Sequence, residues 1–273
     1  MQMMRLGEAA SLVEDRMTVA FGGMTLYRRP VAFALALLRR EHRPRELTLL
    51  NFTAGIESDL LVGGGLVGAA RTVYFGLEAF GLAPMYTQAA QQGRVRVVEE
   101  TEASIAWGLR ARTAGVGFMP STAWVGTDLP RLRPDVRTVM DPYSGELLTA
   151  FPALHVDIAV LHGLAADRSG NVVLNNNLGI DLELVYAADL VICTVEALVD
   201  RVEKSAETTI VPAPGAHVIV PVPRGAWPTS CHPLYPVDGE EMLRYIDACG
   251  AAGDGQFERY VASLLDRTGV SFL

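Results

Sequence analysis

Two glycines end an apolar run in "AFGGMTLYRRP" (residues 20–30), and Arg28, Arg29 and Pro30 follow within seven residues of the second. Such a turn has two readings. Small residues where a strand gives way to a helix let backbone N–H groups approach an anion, and a guanidinium nearby adds a planar set of donors. Glycine serves an ordinary strand-to-helix joint just as well. The turn is neither GxGxxG nor GxxxxGK[ST], so the pattern alone leaves both readings open. The carboxylates are a second inventory. Glu99, Glu100 and Glu102 cluster at the end of "RVRVVEETE", and Glu196 follows "VICTV". Both are places where open α/β sheets present side chains to ligands. For Glu102 the alternative is a favourable charge at a helix start, with Thr101 as cap.

Other chemistries find little support. No GxSxG elbow is present, and the histidines form no i, i+4 metal pair: His155 and His162 are separated by a strand, and His232 simply follows Cys231. Cys193, Cys231 and Cys249 are too scattered for a disulfide frame or a zinc knuckle and read as structural thiols, so neither a metal nor a bound cofactor is expected. Of 23 basic residues only Lys204 is a lysine, in the polar segment "DRVEKSAETT", which leaves Schiff-base chemistry without a credible residue. A net charge of −8 argues against a nucleic-acid partner. With no long uncharged apolar run and no signal-peptide pattern, a cytoplasmic protein without a membrane partner is expected.

The elements that must position these residues alternate. "MTVAFGG", "ELTLLNF", "RTVYFG" and "RVRVVEE" read as strands, separated by helical stretches at 31–42, 56–64 and 84–93 and followed by one at 101–115. That rhythm predicts an open, mainly parallel α/β sheet covered by helices. Prolines at 120, 130, 134, 142 and 152 interrupt it, and "TVMDPYSGELLTAFPAL" reads as a hairpin turning at "PYSG", so an antiparallel flap is expected around 116–152 over the sheet. Further on, "VDIAVLHG" and "LVICTV" read as strands and "LAADRSGNVVLNNN" as a linker; two amphipathic helices close the chain. "VGGGLVG" (62–68) fits a close helix contact or a ligand approach equally well. One domain over 1–273 is the simplest organisation.

Three blocks, in order, resemble the α-type subunit of family I coenzyme A transferases, in the glutaconate CoA-transferase branch: "DRMTVAFGGMTLYRRP" (15–30), "ADRSGNVV" (166–173) with "AADLVICTVEALVD" (187–200), and "GAWPTSCHPLY" (225–235). The first departs from the family pattern in Arg16 and Arg28, where glycine is frequent, and in Met24, where phenylalanine is usual. The resemblance implies a NagB/RpiA/CoA-transferase-like fold, acyl-CoA and a free carboxylate as substrates, and a β-type partner chain in an αβ or α2β2 assembly. In such enzymes a glutamate, normally on the β-type chain in a Ser-Glu-Asn-Gly type sequence, attacks the thioester. This chain contains no Glu-Asn dipeptide, so the nucleophile is expected on the partner. Gly22, Gly23, Met24, Arg28 and Arg29 are then expected to bind substrate or CoA, by backbone donors at the turn and the guanidiniums beside it. A related branch, found in steroid-ring degradation, hydrolyses a cyclic CoA thioester with an acidic residue of the α-type chain. "VVEETEASIAWGLRA" resembles its corresponding stretch, with Glu102 as the base. A non-catalytic scaffolding subunit is the third reading.

Overall fold

The structure is a computed structural model, and it describes residues 1–250 and 255–268. The chain runs β1 (Gln2–Met3), α1 (Leu6–Ser11), β2 (Thr18–Phe21), α2 (Val31–Arg39), β3 (Leu47–Ala54), α3 (Ile56–Gly63), β4 (Val67–Phe75), α4 (Pro84–Gln91), β5 (Arg96–Glu99) and α5 (Glu102–Thr113). It continues through β6 (Phe118–Ser121), α6 (Leu129–Leu132), β7 (Arg137–Met140), β8 (Leu147–Pro152), β9 (Ile158–Asp167), β10 (Val172–Asn175), α7 (Asp181–Ala187), β11 (Leu190–Val199), β12 (Thr208–Val211) and β13 (Val218–Pro221). It ends in α8 (Gly239–Gly250) and α9 (Gln256–Thr268). Eight strands form one parallel array in the order β1-β13-β11-β9-β2-β3-β4-β5, as the alternation predicts.

Strands buried on both faces read as continuous apolar runs, because successive side chains point to opposite sides. Val19, Leu49, Val160 and Ile192 enter the core beneath α1, α2 and α3. Their immediate neighbours Ala20, Leu50, Leu161 and Cys193 enter a second core beneath α5 and α7. Helix α2, "VAFALALLR", is apolar all round and buried from Val31 to Leu38, as expected of a helix enclosed in a core. The glycines of "VGGGLVG" serve packing: a Cβ at Gly63 would fall 2.4 Å from the Phe257 ring, and one at Gly64 2.2 Å from Leu38.

One expectation changes, and the expected antiparallel flap is present. The segment expected to be a linker, 164–177, is mostly strand: β9 runs on to Asp167, turns at Gly170 and returns as β10, which pairs antiparallel with β9 and with β12. The flap is a three-stranded antiparallel sheet, β6-β8-β7, with its hairpin between Met140 and Leu147. It rests mainly on α5, and Arg133 ties it to the end of β5 by donating to the Glu99 carbonyl (2.8 Å). Trp124, Val136 and Phe151 pack against Trp107 of that helix, and the Trp124 indole N–H donates to Thr101 Oγ1 at 2.8 Å.

Candidate functional site

Strand β2 delivers the glycine turn to the C-terminal edge of the sheet, and a single residue there, Gly23, is held on both sides. The Gly23 N–H donates to Asp181 Oδ1 (3.1 Å), and the Gly23 carbonyl accepts from Arg29 Nη1 (3.0 Å). Each of those partners belongs to a buried ion pair. Arg28 Nη2 lies 3.3 Å from Asp181 Oδ1, Arg29 Nη2 lies 2.5 Å from Glu57 Oε1, and all four side chains are 0 % exposed. Arg28 also donates to Asn175 Oδ1 (2.7 Å), the His162 carbonyl (2.9 Å) and the Asn177 carbonyl (2.9 Å). Glu57 accepts from the Ser58 hydroxyl at 2.6 Å. Arg29 Nε and Glu57 Oε2 are left without a partner among the described residues.

The turn requires glycine. Gly23 has φ +79°, and a Cβ there would fall 2.5 Å from the Tyr27 carbonyl oxygen. At Gly22 it would fall 2.8 Å from Asp181 Oδ1 and from Leu161. Thr25 (φ +32°) and Arg28 (φ +53°) also lie at positive φ, where non-glycine residues are strained. The turn is stitched to the third sequence block: Arg28 N–H donates to the Ser230 carbonyl, Ser230 N–H to the Leu26 carbonyl, and Arg29 N–H to Thr229 Oγ1.

The expected substrate donors are therefore engaged inside the chain. Gly22 N–H donates to the Val160 carbonyl (2.9 Å), Gly23 N–H to Asp181, and Met24 N–H to the Tyr27 carbonyl (2.9 Å). Arg28 and Arg29 point inward and brace the turn. The turn's outward face is made by half-buried Met24 and exposed Tyr27.

The carboxylate cluster separates. Glu100 is buried, and its Oε1 accepts from Arg71 (2.9 and 2.5 Å) and from Arg133 of the flap segment (2.7 Å). Glu102 opens α5, exposed and without a hydrogen-bond partner among the described residues. Thr101 does cap that helix, accepting from Ser104 N–H at 3.2 Å. β2 and β5 are three strand spacings, about 14 Å, apart in the sheet, and the glycine turn and Glu102 follow their C-terminal ends on the same edge.

A network not foreseen as a unit lies at the ends of β9 and β11. His162 Nε2 is 2.7 Å from Glu196 Oε1, and its Nδ1 is 2.8 Å from Thr194 Oγ1. The Tyr235 hydroxyl donates to Glu196 Oε1 (2.5 Å) and Arg224 N–H to Oε2 (2.6 Å). Burial holds the His162 imidazole below its usual range, outweighing the pull of Glu196. At Glu196 burial pushes upward, but hydrogen bonds from His162, Tyr235 and Arg224 outweigh it and hold the carboxyl below the usual range. The sequence signal is the register: Thr194 pairs with His162, two residues before Glu196. Burial pushes the Cys193, Cys231 and Cys249 thiols up to about 12, which removes them as nucleophiles.

A parallel α/β sheet with a braced glycine turn at its C-terminal edge and an antiparallel flap beyond is the architecture of a coenzyme A transferase, and the profile of that family matches residues 3–221. The chain belongs to the coenzyme A transferase family. Within it the chain stands with the α-type subunits. It is 30% identical to the A-type subunit of the 3-oxoadipate CoA-transferase of Pseudomonas knackmussii over 87% of this chain and 84% of that one. It is 32% identical to the cholesterol ring-cleaving hydrolase IpdA subunit of Rhodococcus jostii over 74% and 68%. An uncharacterized protein of Archaeoglobus fulgidus is 31% identical over 94% of this chain, which spans 58% of that longer protein. Among solved structures, a variant of the decarboxylase AibA/AibB superposes with a TM-score of 0.87 at 30% identity, covering 97% of this chain and 98% of that one. Glutaconate coenzyme A-transferase from Acidaminococcus fermentans superposes with 0.87 at 23%, covering 98% and 93%, a likeness of fold. Among the described residues, no helix is long and apolar enough to cross a membrane.

Proposed function

We propose that this chain is the α-type half of a two-chain enzyme that moves CoA from an acyl-CoA to a free carboxylic acid. The observation that carries the reading is the state of the carboxylates beside the glycine turn. Asp181 and Glu57 are buried against guanidiniums, and Glu196 is held by His162, Tyr235 and a backbone N–H. None of these is free to attack a thioester, since an attacking carboxylate must be accessible and unpaired. In this reading the nucleophile comes from a β-type partner, docked on the edge where Met24 and Tyr27 are presented. Its carboxylate attacks the thioester carbonyl and expels CoA thiolate. The thiolate then attacks the glutamyl carbonyl of the resulting anhydride, releasing the first acid and leaving a glutamyl-CoA thioester. The acceptor carboxylate takes the acyl position and the steps run in reverse.

In this reading Gly22, Gly23 and Met24 shape the wall of the acyl-CoA site, and Arg28 and Arg29 act through them by fixing the turn. CoA enters as a substrate thioester and no resident cofactor is required. The smallest assembly is αβ, with α2β2 its doubling. Three free cysteines suit a reducing, cytoplasmic setting.

Coexpression with the β-type chain, followed by an assay of CoA exchange between an acyl-CoA and a free carboxylate, tests this. Exchange is expected; hydrolysis without exchange overturns it. Glu102, exposed and without a partner among the described residues, supports a second reading, hydrolysis with Glu102 as base, as does the similarity to the cholesterol ring-cleaving hydrolase. Glu102→Gln separates the two: loss of a general base costs about 10²–10⁴ in rate, whereas the transferase reading predicts less than about tenfold.

A further inference from the structure

On the face of the sheet that carries α5 and α7, one register row breaks the apolar pattern. Thr18 pairs with Thr48, Thr48 with Ala69, and Ala69 with Arg96, so these four residues lie side by side across β2, β3, β4 and β5 and point the same way. Two residues further along the strands, on the same face, Ala20 and Leu50 belong to the core. A row selected only for core packing would continue apolar. Here three of the four residues are polar, and Thr18, Thr48 and Arg96 line a cleft of about 570 Å³ with Glu99 and His155 at its rim and Leu132, Arg133 and Asp135 of the flap segment as its far wall.

The donors lining this cleft are only partly engaged. Neither threonine hydroxyl has a hydrogen-bond partner among the described residues, and Arg96 makes no hydrogen bond or ion pair there. Arg71, on the same face and two residues beyond the position that pairs with Arg96, is held by Glu100 through Nε and Nη2, which fixes its guanidinium and leaves Nη1 unengaged. Arg133 is fixed by the same Glu100 oxygen and by Asp135. Two cations on diagonal neighbours of one sheet face repel, and of the two only Arg71 has a counterion among the described residues.

We propose that this cleft binds a small organic anion carrying a carboxylate or a phosphate. The anionic group would sit between Arg96 and Arg71 over Ala69, where the side chain is small, and accept from the Thr48 hydroxyl on the adjacent strand, while the Thr18 hydroxyl, one strand further, would meet another polar group of the ligand. Arg–anion pairs of this kind are charge-assisted and geometrically specific, and the volume is that of a small-molecule site. The site is separate from the glycine turn and does not depend on the transferase reading.

Titration calorimetry of the purified full chain with malonate, inorganic phosphate and adenosine 3′,5′-bisphosphate tests it, with neutral adenosine as comparison. Saturable binding of at least one anion at one site per chain is expected, weakening at least tenfold in Arg96→Gln and unchanged in Arg94→Gln, an exposed neighbour outside the cleft. Binding of malonate alone marks a carboxylate ligand, and binding of the phosphorylated probes marks a phosphate ester. The proposal is overturned by no saturable binding of any of the three anions, by equal affinity in Arg96→Gln and wild type, or by adenosine binding as tightly as the bisphosphate.

Discussion

Arg28 separates a bracing role from a ligand contact. Arg28→Met removes four donor contacts and leaves Asp181 as a buried carboxylate without a cation. Breaking a buried pair by deleting one partner costs about 3–5 kcal/mol, because the remaining charge stays desolvated. Asp181 keeps the Gly23 and Gly179 N–H groups at 3.1 Å each, which places the expected loss near the lower figure. A domain is stable by about 5–15 kcal/mol in total, so a loss of that size is easily read. Arg28→Lys keeps the charge but not the planar fork, and an ammonium at one point cannot reach acceptors spread over Asn175, His162, Asn177 and Asp181. About half the loss is expected there. The assay is urea unfolding of the isolated chain, with the midpoint falling and the slope unchanged. If Arg28→Met unfolds within about 0.5 kcal/mol of wild type while the assembled enzyme loses substrate affinity, the guanidinium is facing ligand and the bracing argument fails.

Gly23→Ala places a methyl group 2.5 Å from the Tyr27 carbonyl at φ +79°. A loss of about 1–3 kcal/mol in the same unfolding assay is expected, against a change within about 0.5 kcal/mol for Gly117→Ala, where a Cβ meets nothing within 4 Å and φ is not positive. Burial pushes the Asp59 carboxyl up to about 6, against hydrogen bonds from Tyr245, Tyr86 and Met85. A carboxyl that binds its proton more tightly folded than unfolded stabilises the fold most at low pH, and that contribution is lost as pH rises through about 6. Wild type should therefore lose stability relative to Asp59→Asn between pH 5 and 7.5, with a slope of at most about 1.4 kcal/mol per pH unit; parallel pH profiles for the two proteins would refute it.

What the sequence showed plainly was whatever one strand or helix decides alone. The apolar runs "VICTV" and "ELTLLNF" need burial on both faces, so the parallel sheet follows from them, and Thr101 declared itself a cap by its position. What it hid was set by register. Nothing local to "RR" says that both guanidiniums turn inward, because that depends on Asp181 and Glu57, 153 and 28 residues away. Likewise Glu99, Glu100 and Glu102 look like one cluster in sequence. Strand alternation and the helix start send them to three environments: the exposed rim of a cleft, a buried ion hub and an open helix end. The expected linker after His162 failed for a related reason, since its polar residues Asn171 and Asn175 bond within the β9–β10 hairpin and to neighbouring loops.

The four buried charges around Gly23 are a poor way to obtain stability. Desolvating two ion pairs costs several kcal/mol per ion, and replacing such pairs by packed apolar side chains is often neutral or stabilising by about 1–4 kcal/mol. The Arg29–Glu57 pair is poorer than most, with Arg29 Nε and Glu57 Oε2 both unpartnered among the described residues. What the charges provide is direction: one carboxylate fixes the Gly23 N–H and one guanidinium its carbonyl, so the turn has one orientation toward the edge where a partner would complete the site. Arg29→Met combined with Glu57→Leu should therefore unfold within about 1 kcal/mol of wild type, while CoA exchange by the assembled enzyme falls at least tenfold. Arg29→Met alone, which leaves Glu57 buried and unpaired, should lose about 3 kcal/mol. Full exchange activity in the stable double variant would show that the turn holds its geometry without the clamp, and the clamp would then have no part in the function.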